Sequence, residues 1–399
     1  MNQAQTAPAA GSPQLLVALA LLWLMGIALR LPLLAIPPLI RLIHDDLHMS
    51  ETEVGMLVGL PLVMFALAAI PGSLLIARFG AIVIGAAGLL LTGLAAAARA
   101  AAIDIWSLYA ATLVTGIGIA ILQPVLPTLV RLWAPTRIPV ASAVSINGVV
   151  VGATLGGTAT IPLVLPLVGQ SWRSAVLFWA LPVLFVALAF LALAPRLGRD
   201  APSAGAPPRL WWPDWRSPLL WLLGLTFGSN NALYFGTNAF VPDYLASIGG
   251  ADLIGPALGW INGMQLVASL TLLVVAERLH RRIWPFAVFG PLTFAGLVGI
   301  VFGEGLWIVV GAAVMGFGAA VTFVVTFALP SFLSPPGDVH RLAAGMFAIS
   351  YSIAVAVPVL SGALWDLTGV PWTAFVPLAG CALTLTVLGT VLGRRSARH

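Results

Sequence analysis

The chain has 399 residues, of which 60% are hydrophobic and 8% charged, with a formal net charge of +5. So few charges cannot cover a water-soluble globule of this length, which leaves a lipid-facing exterior as the solution. The basic residues are all arginine and form no stripe interleaved with aromatics, so no nucleic-acid partner is expected; the single Cys381 cannot form an intrachain disulfide and reads as a buried small hydrophobe.

Apolar runs of about 20 residues can each cross the hydrocarbon as a helix. Windows bounded by Gly, Pro and charge predict spans near 14–40, 53–76, 80–98, 105–133, 139–167, 173–194, 218–246, 253–276, 284–302, 306–333, 342–365 and 372–392. The N-terminal stretch lacks a positive n-region, and its apolar run is long for a cleaved leader, so it is read as a retained first span. That span carries Arg30 with no acidic neighbour on the same helix, deeper than Arg41, which reaches the outer surface. A charge at mid-span costs about 2.5–3.5 kcal/mol on insertion scales, so it is expected to face a cavity or a partner. Guanidinium stays protonated and presents a planar fork suited to carboxylates and small oxyanions, with helix-end carbonyls or snorkelling as the structural alternative.

Ser50 and Glu53 form a capping-box pattern at the start of the second span. The fourth span offers Gln123 beside Pro124 and Pro127, and the fifth Asn147 with Gly148, Gly152 and Gly156 four apart, a smooth face for close helix approach. In the seventh span Asn230, Tyr234 and Asn238 share one helical face, which points to the protein interior, either toward a solute or toward another helix. Asn262 and Gln265 in the eighth span, Thr322 and Thr326 in the tenth, and Ser350 and Tyr351 in the eleventh are further interior positions.

With both termini in the cytoplasm, the inner loops hold Arg78, Arg131, Arg137, Arg196, Arg199, Arg209, Arg216, Arg278, Arg281, Arg282, Arg341, Arg394, Arg395 and Arg398, against Arg41, Arg99 and Arg173 outside. That bias follows the positive-inside rule and an even span count. The longest polar interruption separates an N-terminal six-helix bundle at 1–195 from a C-terminal one at 218–399, with a cytoplasmic loop at 196–217. A shift of 200 residues superposes Gly55 on Gly255, Gly59 on Gly259, Arg78 on Arg278, Gly116 on Gly316, Gly118 on Gly318 and Asn230 on Arg30. Two such repeats imply a transporter with its solute site near the midplane between them.

The segment Gly72-Ser-Leu-Leu-Ile-Ala-Arg78-Phe-Gly80 resembles the loop signature of the major facilitator superfamily, with Ala77 in the usual acidic position; Ala276-Glu277-Arg278 keeps an acid–base pair. Within that superfamily, Arg30-Leu-Pro-Leu-Leu-Ala-Ile-Pro-Pro38 and Thr115-Gly-Ile-Gly-Ile-Ala-Ile-Leu-Gln123-Pro-Val-Leu-Pro127 resemble the cyanate and 2-nitroimidazole transporter family. The resemblance implies an all-α integral membrane fold of about twelve helices in two pseudo-symmetric bundles, alternating access, and Arg78, Glu277 and Arg278 as a conformational charge lock. The bundle is expected to work as a monomer in a bacterial inner membrane.

All five histidines fall in loops or the tail, and Asp243, Glu304 and Asp366 lie at span ends, so no deep carboxylate is available as a proton relay. Facilitated diffusion, anion exchange or symport of a protonated solute is expected instead. There is no cluster of His, Cys, Asp or Glu for a metal, and no Walker or GxSxG motif, so neither cofactor nor enzyme is expected. The function expected is secondary transport of a small polar or anionic solute, cyanate-like or another small oxyanion or carboxylate. Arg30 would be the anchor, with Gln123, Asn230, Tyr234, Asn238 and Asn262 as orienting groups; the alternative is a multidrug exporter of the same superfamily.

Overall fold

The structure, a computed structural model, describes residues 13–49, 51–197, 210–279, 284–335 and 338–396. Among them there are helices and no strands. The first span is broken: α1 (Pro13–Leu34) gives way to a 3₁₀ turn (Pro37–Leu39) and then α2 (Ile40–Leu47). The sequence placed one helix here, and the break follows from Pro37 and Pro38, which have no N–H to offer the carbonyls of Leu33 and Leu34. After it come α3 (Glu51–Phe79), α4 (Ala81–Ala98), a 3₁₀ turn (Arg99–Ala101) and α5 (Ile105–Trp133). The capping pattern expected at Ser50 lies outside the described residues.

The fifth span is also irregular. Its α6 (Ile138–Thr154) continues as a π-helix (Leu155–Val164) and ends in the short α7 (Leu165–Leu167). The hydroxyls of Thr154, Thr158 and Thr160 each donate to the carbonyl four residues back, and Pro162 removes a donor, so the α ladder loosens here. The sixth span is α8 (Trp172–Leu193), and the second half comprises α9 (Pro218–Ser247), α10 (Ile254–Leu279), α11 (Trp284–Phe302), α12 (Leu306–Leu333), α13 (Val339–Thr368) and α14 (Val376–Ser396). These give twelve membrane helices. Eleven are long and apolar enough to cross a membrane on hydropathy alone; α9 is not among them, because Asn230, Asn231 and Asn238 lower its mean hydropathy.

The chain forms two compact units, Met1–Pro213 with Ser334–Ala344, and Asp214–Leu333 with Gly345–His399. In the first, α1 lies against α6 without intervening side chains. A Cβ on Gly148 would overlap the carbonyl oxygen of Trp23, one on Gly152 would sit 2.5 Å from that of Ile27, and one on Gly156 2.8 Å from that of Leu31. The two helices therefore meet along matching four-residue steps, the close approach that small residues permit in lipid. At the far end of the unit, the backbone carbonyls of Leu210 and Trp211 are fastened by His340 Nε2 at 3.2 Å and by the Ser73 hydroxyl at 2.9 Å.

One contact recurs in both units. Gly118 of α5 faces Thr92 of α4, and Gly318 of α12 faces Thr293 of α11; in each case a Cβ would stand 2.5 Å from the threonine hydroxyl. Each threonine folds its hydroxyl back to its own helix, at 2.7 Å from the carbonyl of Gly88 or Phe289. In the second unit the core is closed by Tyr244, whose hydroxyl donates to the Val301 carbonyl at 2.5 Å while its ring meets Phe375 edge-on. Phe227, Phe323, Phe327 and Phe347 form a contiguous aromatic cluster between α9, α12 and α13.

Candidate functional site

Arg30 stands on α1 immediately before its last turn and is half-buried. Two residues on, the carbonyl of Pro32 receives Nη1 of Arg99 at 2.8 Å. Arg99 was counted with the outer-loop arginines on sequence; the structure instead buries its side chain to 1% exposure. On α5, Gln123 is buried between Leu122 and Pro124, and on α6 Asn147 is buried and accepts Trp23 Nε1 at 2.9 Å. Asn147 is thus engaged with α1 through Trp23, whose carbonyl also meets Gly148 in the glycine seam.

The polar face of α9 is divided between two kinds of work. Asn230, 2% exposed, donates its amide to the Ala319 carbonyl at 2.9 Å and to the Thr322 hydroxyl at 2.6 Å, so it ties α9 to α12. Its neighbour Asn231, which had attracted no role, donates to the Ser350 hydroxyl of α13 at 2.8 Å. Tyr234, Asn238 and Asn262, by contrast, are brought together as one half-buried network. The Tyr234 hydroxyl donates to Asn262 Oδ1 at 2.9 Å, Asn262 Nδ2 donates to Asn238 Oδ1 at 2.8 Å, and Asn238 Nδ2 returns to the Tyr234 carbonyl at 2.8 Å. A phenol and two amides held this way present polar edges without charge, which suits orientation of a solute rather than neutralisation of it.

Of the three residues expected in the conformational lock, Arg78 is exposed in the last turn of α3, with its guanidinium 5.3 Å from the Phe79 ring centre. Gly80 turns the chain at φ +85°, a conformation that favours glycine, before α4 begins. Ala77, in the acidic position of the pattern, is buried. The side chains of Glu277 and Arg278 lie outside the described residues.

Outside the spans, Asp104 caps α5: it accepts the Ser107 backbone N–H at 2.8 Å and the Ser107 hydroxyl at 2.6 Å. On the same side of the unit, Arg173 pairs with Asp46, stacks 4.4 Å from the Trp172 ring centre, and donates Nη2 to the Ala102 carbonyl at 3.0 Å. Neither the Asp104 cap, whose pattern is not Ser-x-x-Glu, nor the Arg173 contacts to Asp46 and Ala102, which join separate elements, was expected from the sequence.

A multi-pass helical protein whose halves repeat the same packing contact, and whose buried polar groups sit on broken or amide-bearing spans, is of the secondary-transporter class. The sequence model of the Major Facilitator Superfamily matches residues 18–283, and the chain belongs to that superfamily. It is 26% identical to the cyanate transport protein CynX of Escherichia coli (strain K12), over 88% of this chain and 90% of that one. It is likewise 26% identical to the 2-nitroimidazole transporter of the same organism, over 95% and 96%. An uncharacterized transporter of Bacillus subtilis (strain 168), YycB, is 26% identical over 90% and 89%. Among solved structures, the fold is similar to the transporter FucP in its outward conformation (TM-score 0.74, 12% identity, 95% of this chain and 99% of that one). It is also similar to the human organic anion transporter MFSD10 (TM-score 0.68, 18% identity, 95% and 100%).

Proposed function

We propose that this secondary transporter moves a small solute bearing a planar anionic or oxygen-rich group, with Arg30 as its anchor. The observation that carries the proposal is Arg30 itself, a permanent cation half-buried in an otherwise apolar span. Its forked donors match two oxygens of a cyanate-sized oxyanion, a carboxylate or a nitro group in one plane. Relatives named for cyanate, a small linear anion, and for 2-nitroimidazole, a planar ring bearing a nitro group, support a small polar solute. Tyr234, Asn238 and Asn262 are proposed as orienting groups and Gln123 as a further contact; the hydrogen bonds of Asn230 favour its work as a helix tie. Arg78, Glu277 and Arg278 are proposed to govern alternating access, with the protein acting as a monomer. The arginine bias favours cytoplasmic termini in a bacterial inner membrane.

The test is thermal unfolding of purified protein against cyanate, nitrate, nitrite, short carboxylates, 2-nitroimidazole and lipophilic cations, repeated on Arg30→Ala. A ligand bound only by the folded state at a hundred times its Kd raises stability by about 2.7 kcal/mol, a readily measured shift. Stabilisation by an anion in the parent and its loss in Arg30→Ala are expected. Stabilisation by cations alone, equal in both proteins, overturns the anion proposal and favours the multidrug exporter.

A further inference from the structure

We propose that Arg99 is a positioning residue that fixes the last turn of α1 and thereby aims Arg30; the functional part of this rests on Arg30 binding the solute. Arg99 is 1% exposed, it makes one hydrogen bond, from Nη1 to the Pro32 carbonyl, and its Nε has no partner. Among the described residues no carboxylate pairs with it. A buried guanidinium so poorly compensated is costly, and an apolar side chain would fill the same space without that cost. What an apolar side chain lacks is a donor for Pro32.

That donor is needed because of how α1 ends. The last carbonyls of a helix carry no intrahelical partner and form the negative end of its dipole. Here Pro37 and Pro38 deny a backbone N–H to the carbonyls of Leu33 and Leu34 and break the helix, and the carbonyl of Pro32 in the same turn is met by Arg99. Arg99 supplies a cation and an N–H at that point from a turn that is itself held in place: Arg173 donates to the Ala102 carbonyl at 3.0 Å, and Asp104 caps α5. On another side, Gly156 of the π-helix leaves room for the α1 backbone, whose Leu31 oxygen and Ala35 nitrogen would stand 2.8 and 2.9 Å from a Cβ there. The last turn of α1 is thus clamped by two elements. Arg30 directly precedes that turn, two residues before Pro32, so its direction is set by the same clamp.

The test uses the full chain. Cys381 is its single cysteine, so a Cys381→Ser background carrying Arg30→Cys gives one reporter thiol, and Thr136→Cys in an exposed turn gives a control. Labelling rates with a cationic methanethiosulfonate are compared for Arg99, Arg99→Met and Arg99→Lys. Arg99→Met, similar in length and without donors, should change the rate at position 30 several-fold and leave the control unchanged, while Arg99→Lys restores much of the parent rate. In the otherwise native chain, Arg99→Met should raise several-fold the nitrate concentration giving half-maximal thermal stabilisation.

An unaltered rate at position 30 in folded, monodisperse Arg99→Met overturns the proposal and leaves Arg99 as packing alone. Should Arg99→Met not fold, Arg99→Leu, which also lacks donors, and Arg99→Lys make the same comparison, and equal rates for both overturn it equally. Loss of the anion proposal is read separately, from Arg30→Ala that binds nitrate as the parent does. In that case a changed rate at position 30 still identifies the clamp.

Discussion

Asp104 accepts two hydrogen bonds from Ser107, first from its hydroxyl and then from its backbone, and these hold the carboxyl below its ordinary value. A lowered carboxyl contributes stability that is present above the ordinary carboxylate range and lost as the pH falls through the folded value. Asp104→Ala should therefore unfold at a lower temperature than the parent near neutral pH, and the gap should close below about pH 4, where the carboxyl takes up its proton. Melting curves of both proteins across that range check it. The cap escaped sequence reading because the acid stands at the N-cap and the hydroxyl three residues on, the reverse of the usual order. Arg30 was legible for a simpler reason: a cation in an apolar run is conspicuous without any tertiary knowledge. The burial of Arg99 was not, because it depends on a carbonyl 67 residues away.

At the scale of the element, the glycine spacing of the fifth span identified a packing face, and the structure sets that face against α1. Gly148→Ala forces a methyl into the Trp23 carbonyl, a backbone atom that cannot rotate away, so a loss of about 1–3 kcal/mol is expected. Gly157→Ala, whose Cβ would meet nothing within 4 Å, should be neutral or slightly stabilising through helix propensity. Thermal unfolding of the two variants side by side distinguishes a packing seam from a general sensitivity of the span. Long apolar runs gave the helices their limits to within a few residues, since lipid imposes the period and the length. The break after Leu34 and the π-helix at Leu155–Val164 were not foreseen as such, although Pro37, Pro38 and Pro162 were visible as punctuation. Proline marks where an α ladder loses a bond; which irregular form replaces it is decided by the threonine hydroxyls and by the helix packed alongside.

For the whole molecule, the arginine distribution makes a topological prediction that is independent of any solute. Alkaline phosphatase fused after Gly169, in the turn following α7, should be active in a bacterial host, and the same enzyme fused after Thr136, in the turn following α5, should be inactive. The reverse pattern would invert the proposed orientation. The 200-residue shift was legible as matched punctuation, and its physical content is the Thr92–Gly118 and Thr293–Gly318 contacts, one residue out of step between the halves. If the halves descend from a duplicated ancestor, what survived the copying is this joinery, where any added atom meets an obstruction. The proposed anchor is not repeated: position 30 is arginine while its counterpart under the shift is Asn230, tied to α12. If Arg30 anchors the solute as proposed, two identical copies would have brought a pair of guanidiniums or none, and the single arginine at this position would be an asymmetry that two distinct halves make possible.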